Sequence, residues 1–271
     1  MSRLRVISLG AGVQSSTMLL MAARGEIKAD AAVFADTGGE PKAVYDWLEF
    51  LKSQSPFPIV VASRGNLWKA ATNVRVSKTS GNKYIQTAIP VFTVNGLKLG
   101  KGQRHCTRDY KVHVVQREAR KLLGKARVTR NEGVLVDMLI GISTDEAHRM
   151  KPSRESWIAN EYPLIDMNYS RSMCEEWCLK HYGRVPPRSA CTYCPFRSDE
   201  QWAALSLEEF QDAVQKEKQL QAAYLATEGT LTSVPYLHSS RVPLDQVKLS
   251  TGKGRAMIDK FGNECEGLCG V

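Results

Sequence analysis

The sequence lacks any long apolar segment, since no nonpolar run reaches the roughly 18 residues needed to cross a bilayer. It also lacks the composition of a disordered or fibrous chain: of its 271 residues, 43% are hydrophobic and 24% charged, with 20 Gly and 11 Pro. No internal repeat is visible, and residues 1–5 lead into a strand-like segment instead of a signal peptide. We therefore expect a soluble, cytoplasmic protein without a membrane partner.

Acidic residues are scarce in one part of the chain. The whole chain has 37 Lys and Arg against 28 Asp and Glu, a formal charge of +9. Residues 98–130 contain eleven basic and two acidic residues, so this window alone carries the same excess. Such a density favours a polyanion such as tRNA or DNA over a small anion, although a solvated basic helix face is the alternative. The candidate polyanion-binding residues are Arg104, Arg108, Arg117, Arg120 and Lys121.

Alternating apolar runs and amphipathic stretches in the first half predict an α/β fold with an open, mostly parallel sheet. The predicted strands span residues 4–9, 31–35, 59–62 and 134–142, and the predicted helices span 15–24 and a stretch beginning at Pro41. We predict a nucleotide-binding domain over residues 1–165 and a helical, cysteine-rich region over residues 166–271.

A basic insertion interrupts the predicted sheet at about residues 63–130. It contains a probable hairpin at Asn95-Gly96 and a helix over residues 107–123. In the C-terminal region, capping-box patterns at Ser172, Ser198 and Ser206 predict the starts of three helices.

Small and hydroxyl-bearing residues separate the first strand from the first helix. Such a turn lets backbone N–H groups approach a phosphate, and the helix dipole favours the anion. A plain tight turn is the alternative. The second and fourth strands are also followed by acids and hydroxyls at the same edge of the sheet. The candidate nucleotide-binding residues are Ser8, Gly10, Ala11, Gly12, Gln14, Ser15, Ser16, Asp36, Thr37 and Gly141.

The loop motifs of this sequence resemble those of a known protein superfamily. The loop at residues 8–16 resembles the pyrophosphatase loop (PP-loop) of the adenine nucleotide alpha-hydrolase-like superfamily, which implies a Rossmann-like fold binding ATP and Mg²⁺. Together with residues 106–111, 141–149 and 189–196, it resembles the phosphoadenylyl-sulfate (PAPS) reductase-like proteins of bacteria and phages. Gln14 stands where that superfamily usually carries Asp, so we expect Asp36 and Asp145 to lie near a metal-bound pyrophosphate.

Seven cysteines in a chain of this kind favour metal binding or thiol chemistry over disulfides. Cys191 and Cys194 form a CxxC, which is typical of redox, zinc or cluster sites. The separation between Cys106 and this CxxC resembles that in the cluster site of adenylyl-sulfate reductases. This resemblance implies a [4Fe–4S] cluster with one open iron. A structural Zn²⁺ that also uses His105 and a set of unliganded thiols are the alternatives. Cys174 and Cys178, one helical turn apart, are expected to be buried and structural.

The C-terminal segment at residues 264–271 resembles the tail that carries the nucleophilic cysteine of sulfonucleotide reductases. An incidental pair of cysteines in a frayed tail is the alternative interpretation. The candidate catalytic residues are Asp36, Lys111, Asp145, Arg149, Cys265 and Cys269.

Three functions remain open at this point. The first is ATP-dependent adenylation of an acceptor followed by sulfur transfer to a nucleic acid or nucleobase, with a sulfur donor such as a cysteine desulfurase. The second is reduction of a sulfonucleotide by a C-terminal cysteine. The third is a non-catalytic nucleotide- and nucleic-acid-binding protein with structural zinc. We also consider a homodimer as the assembled state.

Overall fold

The computed structural model describes residues 2–86 and 88–250. The segment 251–271, which holds the predicted nucleophiles Cys265 and Cys269, lies outside the described residues. Among the described helices, none combines the length and the apolar character that a membrane span requires.

The first half begins with a repeating strand and helix pattern. Its elements are β1 (Leu4–Leu9), α1 (Val13–Ala23), β2 (Ala31–Asp36), α2 (Lys42–Gln54) and β3 (Ile59–Ser63). The insertion follows, with α3 (Leu67–Thr72), β4 (Val74–Val76), β5 (Lys83–Ile85), β6 (Phe92–Asn95) and β7 (Lys98–Lys101). A π-helical segment (Cys106–Val112) then leads directly into α4 (His113–Leu122).

The remaining elements complete the sheet and form the C-terminal region. They are β8 (Val136–Ile140), β9 (Ile158–Glu161), α5 (Pro163–Asp166), α6 (Arg171–Tyr182), α7 (Asp199–Ala203), α8 (Leu207–Leu225) and β10 (Val234–Tyr236). Short 3₁₀ turns lie at Arg130–Glu132, Thr144–Arg149 and Leu244–Gln246.

The central sheet has the order β3-β2-β1-β8-β9, and all its paired strands are parallel. Its inner strands are continuous apolar runs because helices cover both faces. The strand order reverses between β1 and β8, and open α/β sheets bind ligands at the carboxyl ends of strands at such a point. The predicted fold class is confirmed, and the loops after β1, β2 and β8 meet at this edge.

Two apolar clusters cover the two faces of the sheet. On one face, α1 packs with α2 and α6 through fully buried side chains such as Leu20, Leu51 and Cys178. On the other, α4 packs against β2 and β3, and its Val114 and Val115 belong to the apolar cluster on this face. The prediction that Cys174 and Cys178 are buried is confirmed, since both are 0% exposed.

A third apolar cluster joins the insertion to the C-terminal region. Trp68 of α3 packs against Tyr193 with 4.8 Å between ring centroids, and Trp202 is almost fully buried beside them. Strand β10 pairs antiparallel with β6, so residues from the C-terminal region complete the sheet of the insertion. The insertion is therefore held by residues far away in the sequence, which local patterns do not reveal.

Several helix and strand boundaries differ from those predicted from the sequence. The helix predicted over residues 107–123 divides into the π-helical segment and α4, and the strand predicted over 134–142 shortens to β8. Helix α6 begins after Ser170, whose Oγ accepts from the Met173 N–H at 3.2 Å. The prediction that Ser172 caps this helix is wrong. Ser172 lies in the first turn, and its hydroxyl contacts that of Ser170. The capping boxes at Ser198 and Ser206 are confirmed.

A buried carboxylate fixes the segment that follows α8. Glu217 is 2% exposed, and its two oxygens accept from the backbone N–H groups of Leu237 at 2.7 Å and Leu244 at 2.6 Å. Burial raises the pKa of Glu217 above its usual value. The side chain thus ties both ends of an irregular segment to a helix.

Replacing Glu217 with Ala should destabilise the protein by about 1–3 kcal/mol for each backbone N–H left without its acceptor. Because the pKa is raised on folding, the stability that depends on Glu217 should fall as pH rises above the usual carboxyl range. Urea unfolding of both proteins at several pH values tests this. The exposed Glu208→Ala is the matched control on the same helix, and an equal loss in both variants would contradict the assignment.

Candidate nucleotide and thiol site

The turn after β1 has the geometry of an anion-binding loop. Ala11 adopts the left-handed backbone conformation with φ 57°, and Gly12 is the N-cap of α1. The Gly10 N–H donates to the Ser15 Oγ at 3.2 Å, which closes the turn. Within the described residues no side chain caps α1, so the amide groups of its first turn point to the carboxyl edge of the sheet.

Ser8 lies just before this turn and in register with Val33 of β2 and Ile140 of β8. It is 3% exposed, and its Oγ has no hydrogen-bond partner among the described residues. A buried hydroxyl without a partner costs free energy and is uncommon in proteins. Ser8 lies where the strand order reverses between β1 and β8, and this position favours a role in contacting a ligand.

Gln14 and Ser16 have partners within the protein. The fully buried Gln14 donates to Ser143 Oγ at 3.3 Å and to Glu146 Oε2 at 3.0 Å, and its carbonyl accepts from Arg171 at 3.1 Å. Ser16 Oγ accepts from the Trp47 indole N–H at 2.9 Å. These contacts give both side chains a positioning role, with Gln14 joining α1 to the loop after β8.

The loop after β2 carries an acid and a hydroxyl at the same edge. Asp36 Oδ1 accepts from the Gly38 N–H at 2.7 Å and from the Tyr45 hydroxyl at 2.8 Å. Burial, together with this bond to the Asp36 carboxylate, raises the pKa of Tyr45. The Thr37 hydroxyl is buried and lies 3.3 Å from Cys191 Sγ. The CxxC motif is therefore in contact with a predicted nucleotide-binding residue.

The cysteine loop is docked on the β2 loop by backbone contacts. The Thr192 N–H donates to the Gly39 carbonyl at 2.9 Å, and the Cys194 N–H to that of Cys191 at 3.0 Å. A Cβ at residue 39 would lie 2.4 Å from the Tyr193 hydroxyl, so only glycine fits there. The glycine requirement arises from a residue more than 150 positions away and cannot be read from the local sequence.

A buried ion pair joins three segments beside this loop. Lys111 Nζ lies 3.2 Å from Glu40 Oε1, and their side chains are 5% and 1% exposed. The second Glu40 oxygen accepts from Ser189 Oγ at 3.3 Å. The pair thus connects the β2 loop to the π-helical segment and to the start of the cysteine loop. Sequence analysis identified Lys111 and missed Glu40, although an acid directly after the Asp36–Gly39 segment was a visible signal.

The predicted metal ligands Cys106, Cys191 and Cys194 form no disulfide with any described residue, and the first two pack against the same apolar cluster. Burial and the nearby Glu40 carboxylate raise the pKa of the Cys191 thiol well above its usual value. Among the described side chains, no three His, Cys, Asp or Glu residues are arranged to hold a metal ion. As placed, these thiols do not fit a cluster or a zinc ion, and both ligand sets stay predictions.

The loop after β8 contributes charge to the same edge. Asp145 accepts from the Arg171 N–H at 3.1 Å, and Arg149 forms an ion pair with Glu146. Gly141, at the start of this loop, is buried. A cleft beside it has an apolar floor of Ile140 and Ile142. Its cationic lining residues are Arg108, Arg149, Lys151 and Arg154. Lys151 and Arg154 were missed, although they directly follow the 141–149 motif.

Most of the predicted polyanion-binding residues have contacts inside the protein. Arg117 and Lys121 both contact the Glu118 carboxylate, at 2.7 and 3.0 Å. Arg108 donates to Asp109 at 2.8 Å, and this bond lowers the pKa of that carboxyl. The guanidinium of Arg104 lies 5.4 Å from the Phe196 ring centroid. The helix face that carries Arg117, Arg120 and Lys121 is therefore less positive than its sequence indicates.

Among known proteins, no family model and no curated protein matches the chain. Among solved structures, the chain is similar to the phosphate complex of phosphoadenylyl-sulfate (PAPS) reductase from Candida auris. The two chains share 17% identity and a TM-score of 0.39, over 69% of this chain and 75% of that chain. The fold assignment rests on the strand order and loop geometry above.

Replacing Lys111 with Met should destabilise the protein by about 3–5 kcal/mol, because Glu40 would remain buried without its counter-charge. The double variant Glu40→Gln/Lys111→Met should be more stable than Lys111→Met alone. Urea unfolding of the single and double variants measures this coupling. Lys42→Met, which breaks the exposed pair with Asp46, is the control and should cost at most about 1 kcal/mol. Additive effects of the two buried substitutions would contradict the pair.

Proposed function

We propose that this chain is a PP-loop enzyme that uses ATP to adenylate an acceptor and then transfers sulfur to a nucleic acid or nucleobase. The observation that carries the proposal is the contact between Cys191 Sγ and the Thr37 hydroxyl, at 3.3 Å. It brings a thiol-bearing loop to the carboxyl edge of the sheet, where the uncapped start of α1 favours phosphate.

The residues at this edge fit the binding of a nucleotide polyphosphate. The amides of the first turn of α1 and the Ser8 hydroxyl supply hydrogen-bond donors at this edge of the sheet. Asp36 and Asp145 lie in the adjacent loops and supply carboxylate oxygens, the ligands that Mg²⁺ prefers. Arg149 adds positive charge for a developing pyrophosphate.

The proposed reaction has two steps. A carbonyl oxygen of the acceptor attacks the α-phosphorus of ATP, and pyrophosphate leaves. The terminal sulfur of a donor persulfide, such as one made by a cysteine desulfurase, then attacks the activated carbon, and AMP departs with the former carbonyl oxygen. In the same stage a second thiol attacks the inner sulfur of the resulting disulfide, which forms a new disulfide with the donor and releases the product sulfur as a thiolate. The protein's task is to hold the polyphosphate, neutralise the leaving group and bring the acceptor to the thiol-bearing loop.

A second candidate is reduction of a sulfonucleotide, and the cationic cleft beside β8 favours it. Lys151 and Arg154 line this cleft together with Ile140 and Ile142, and they suit a ligand with a ring system and a second anionic group. Cys265 or Cys269 would be the nucleophile of that reaction, and both lie outside the described residues.

One experiment separates these functions. The purified protein is given ATP with tRNA or DNA, or adenylyl sulfate with a thiol reductant, and both pyrophosphate and sulfite are measured. Nucleic-acid-dependent pyrophosphate release supports sulfur transfer, whereas sulfite release supports the reductase. Nucleotide binding without either product would support the non-catalytic alternative with structural zinc, which metal analysis would then test.

Replacing Ser8 with Ala should weaken ATP binding by about tenfold, the effect of losing a hydrogen bond to a charged group. It should leave the free energy of unfolding unchanged or raise it, because a buried hydroxyl without a partner is removed. Isothermal titration calorimetry and urea unfolding measure the two effects.

The control for this prediction is Ser16→Ala, in the same loop region. It removes the acceptor of the Trp47 indole N–H and should lower stability. Its nucleotide affinity should stay near that of the unmodified protein. If Ser8→Ala lowers stability and leaves ATP affinity unchanged, Ser8 has a structural role and does not face the nucleotide.

A further inference from the structure

The most one-sided charge in the chain lies earlier than the window 98–130. Residues 50–108 contain ten Lys and Arg and no Asp or Glu. This acid-free stretch covers β3, the whole of the insertion from α3 to β7, and the start of the π-helical segment. Four of these cations pair with carboxylates from outside the stretch, namely Lys52, Arg64, Lys83 and Arg108. The positive charge of the others favours an anionic partner.

Within the insertion, the β6–β7 hairpin presents its cations openly. Lys98 and Lys101 are exposed, and neither has a carboxylate partner in the described part of the chain. By contrast, Lys83 of β5 pairs with Glu228. Lys98 and Lys101 lie on opposite faces of the strand, because successive side chains alternate. The ribbon is thus positive on both faces.

The tip of the hairpin is apolar. The two-residue turn is Gly96-Leu97, in which Gly96 has φ 56°. Leu97 is 101% exposed and Leu99 is 65% exposed, so neither contributes to the core. Two exposed leucines at one tip, beside lysines with no carboxylate partner in the described part of the chain, favour a contact surface.

The hairpin leads to the cysteine loop. Lys101 Nζ lies 4.9 Å from the Phe196 ring centroid, and Arg104 lies above the same ring at 5.4 Å. Phe196 is two residues from Cys194, and its ring also contacts Phe92 of β6 at 6.4 Å. A continuous surface therefore runs from the hairpin tip to the thiols. We call this the hairpin surface, formed by Leu97, Lys98, Lys101, Arg104 and Phe196.

We propose that the hairpin surface binds nucleic acid, with the tip of the β6–β7 hairpin contacting a duplex or stem and directing the strand toward the cysteine loop. Lysines contact phosphates, and an exposed apolar tip packs against bases. The inference rests on the proposed function in taking nucleic acid as the acceptor. The inference places the main contact with nucleic acid on the insertion. The α4 face is less suited to it, because Glu118 neutralises Arg117 and Lys121 there.

The test measures binding of a fluorescent duplex DNA and a stem-loop RNA of about 20 base pairs, by anisotropy at several salt concentrations. The unmodified protein should bind at least one probe, more weakly as salt rises. Lys98→Glu/Lys101→Glu should weaken binding at least tenfold. It should also reduce the slope of log K against log salt by about 2, one for each phosphate contact. Leu97→Ala should weaken binding about threefold to tenfold and leave that slope unchanged.

The matched control is Arg120→Glu/Lys121→Glu, which makes the same change in net charge on α4 and should alter affinity less than threefold. An equal loss in both double variants, or no binding of either probe by the unmodified protein, would overturn the proposal. Thermal melting and ATP binding of each variant show that the fold and the nucleotide site are intact. If the hairpin variants bind probe normally while nucleic acid still stimulates pyrophosphate release, this inference fails and the proposed function stands. If the hairpin binds probe but no pyrophosphate or sulfur transfer follows, the proposed function fails instead.

Discussion

The buried ion pair between Glu40 and Lys111 is the interaction on which the arrangement of the site depends. It joins the loop after β2, the π-helical segment and, through Ser189, the cysteine loop. Each charge would be costly to bury alone, so the three segments must stay together for either to be tolerated. The pair therefore holds Cys191 against the edge of the sheet, where burial and the same carboxylate raise the pKa of that thiol.

A second constraint acts at the switch point between β1 and β8. The order of the parallel strands leaves a crevice there, and the left-handed Ala11 and the uncapped first turn of α1 direct amide donors into it. Ser8 adds a buried hydroxyl at the same place, and no described residue hydrogen-bonds to it. Gln14 does not share this role, since its hydrogen bonds hold the loop after β8 in position. The site thus combines groups that contact a ligand with groups that only fix their geometry.

Sequence reasoning predicted the fold well because β1, β2, β3 and β8 are continuous apolar runs. This pattern is typical of strands that are buried on both faces of a parallel sheet. It placed Asp36, Thr37 and the phosphate loop at one edge for the same reason. It could not find the docking of Tyr193 on Gly39 or the pairing of β10 with β6, since both join residues more than a hundred positions apart. It also overestimated the charge on α4, because Glu118 neutralises two of its cations by contacts that a count does not show.

The account's central claim is that the phosphate loop and the cysteine loop form one site. Its most direct test is the rate at which iodoacetamide alkylates Cys191, followed by mass spectrometry with and without saturating ATP and Mg²⁺. We expect bound nucleotide to slow alkylation of Cys191 at least several-fold, because it would cover the edge where Thr37 and the thiol meet. An unchanged rate at saturating ATP would mean that the two loops serve separate sites, and the proposed function would lose its main support.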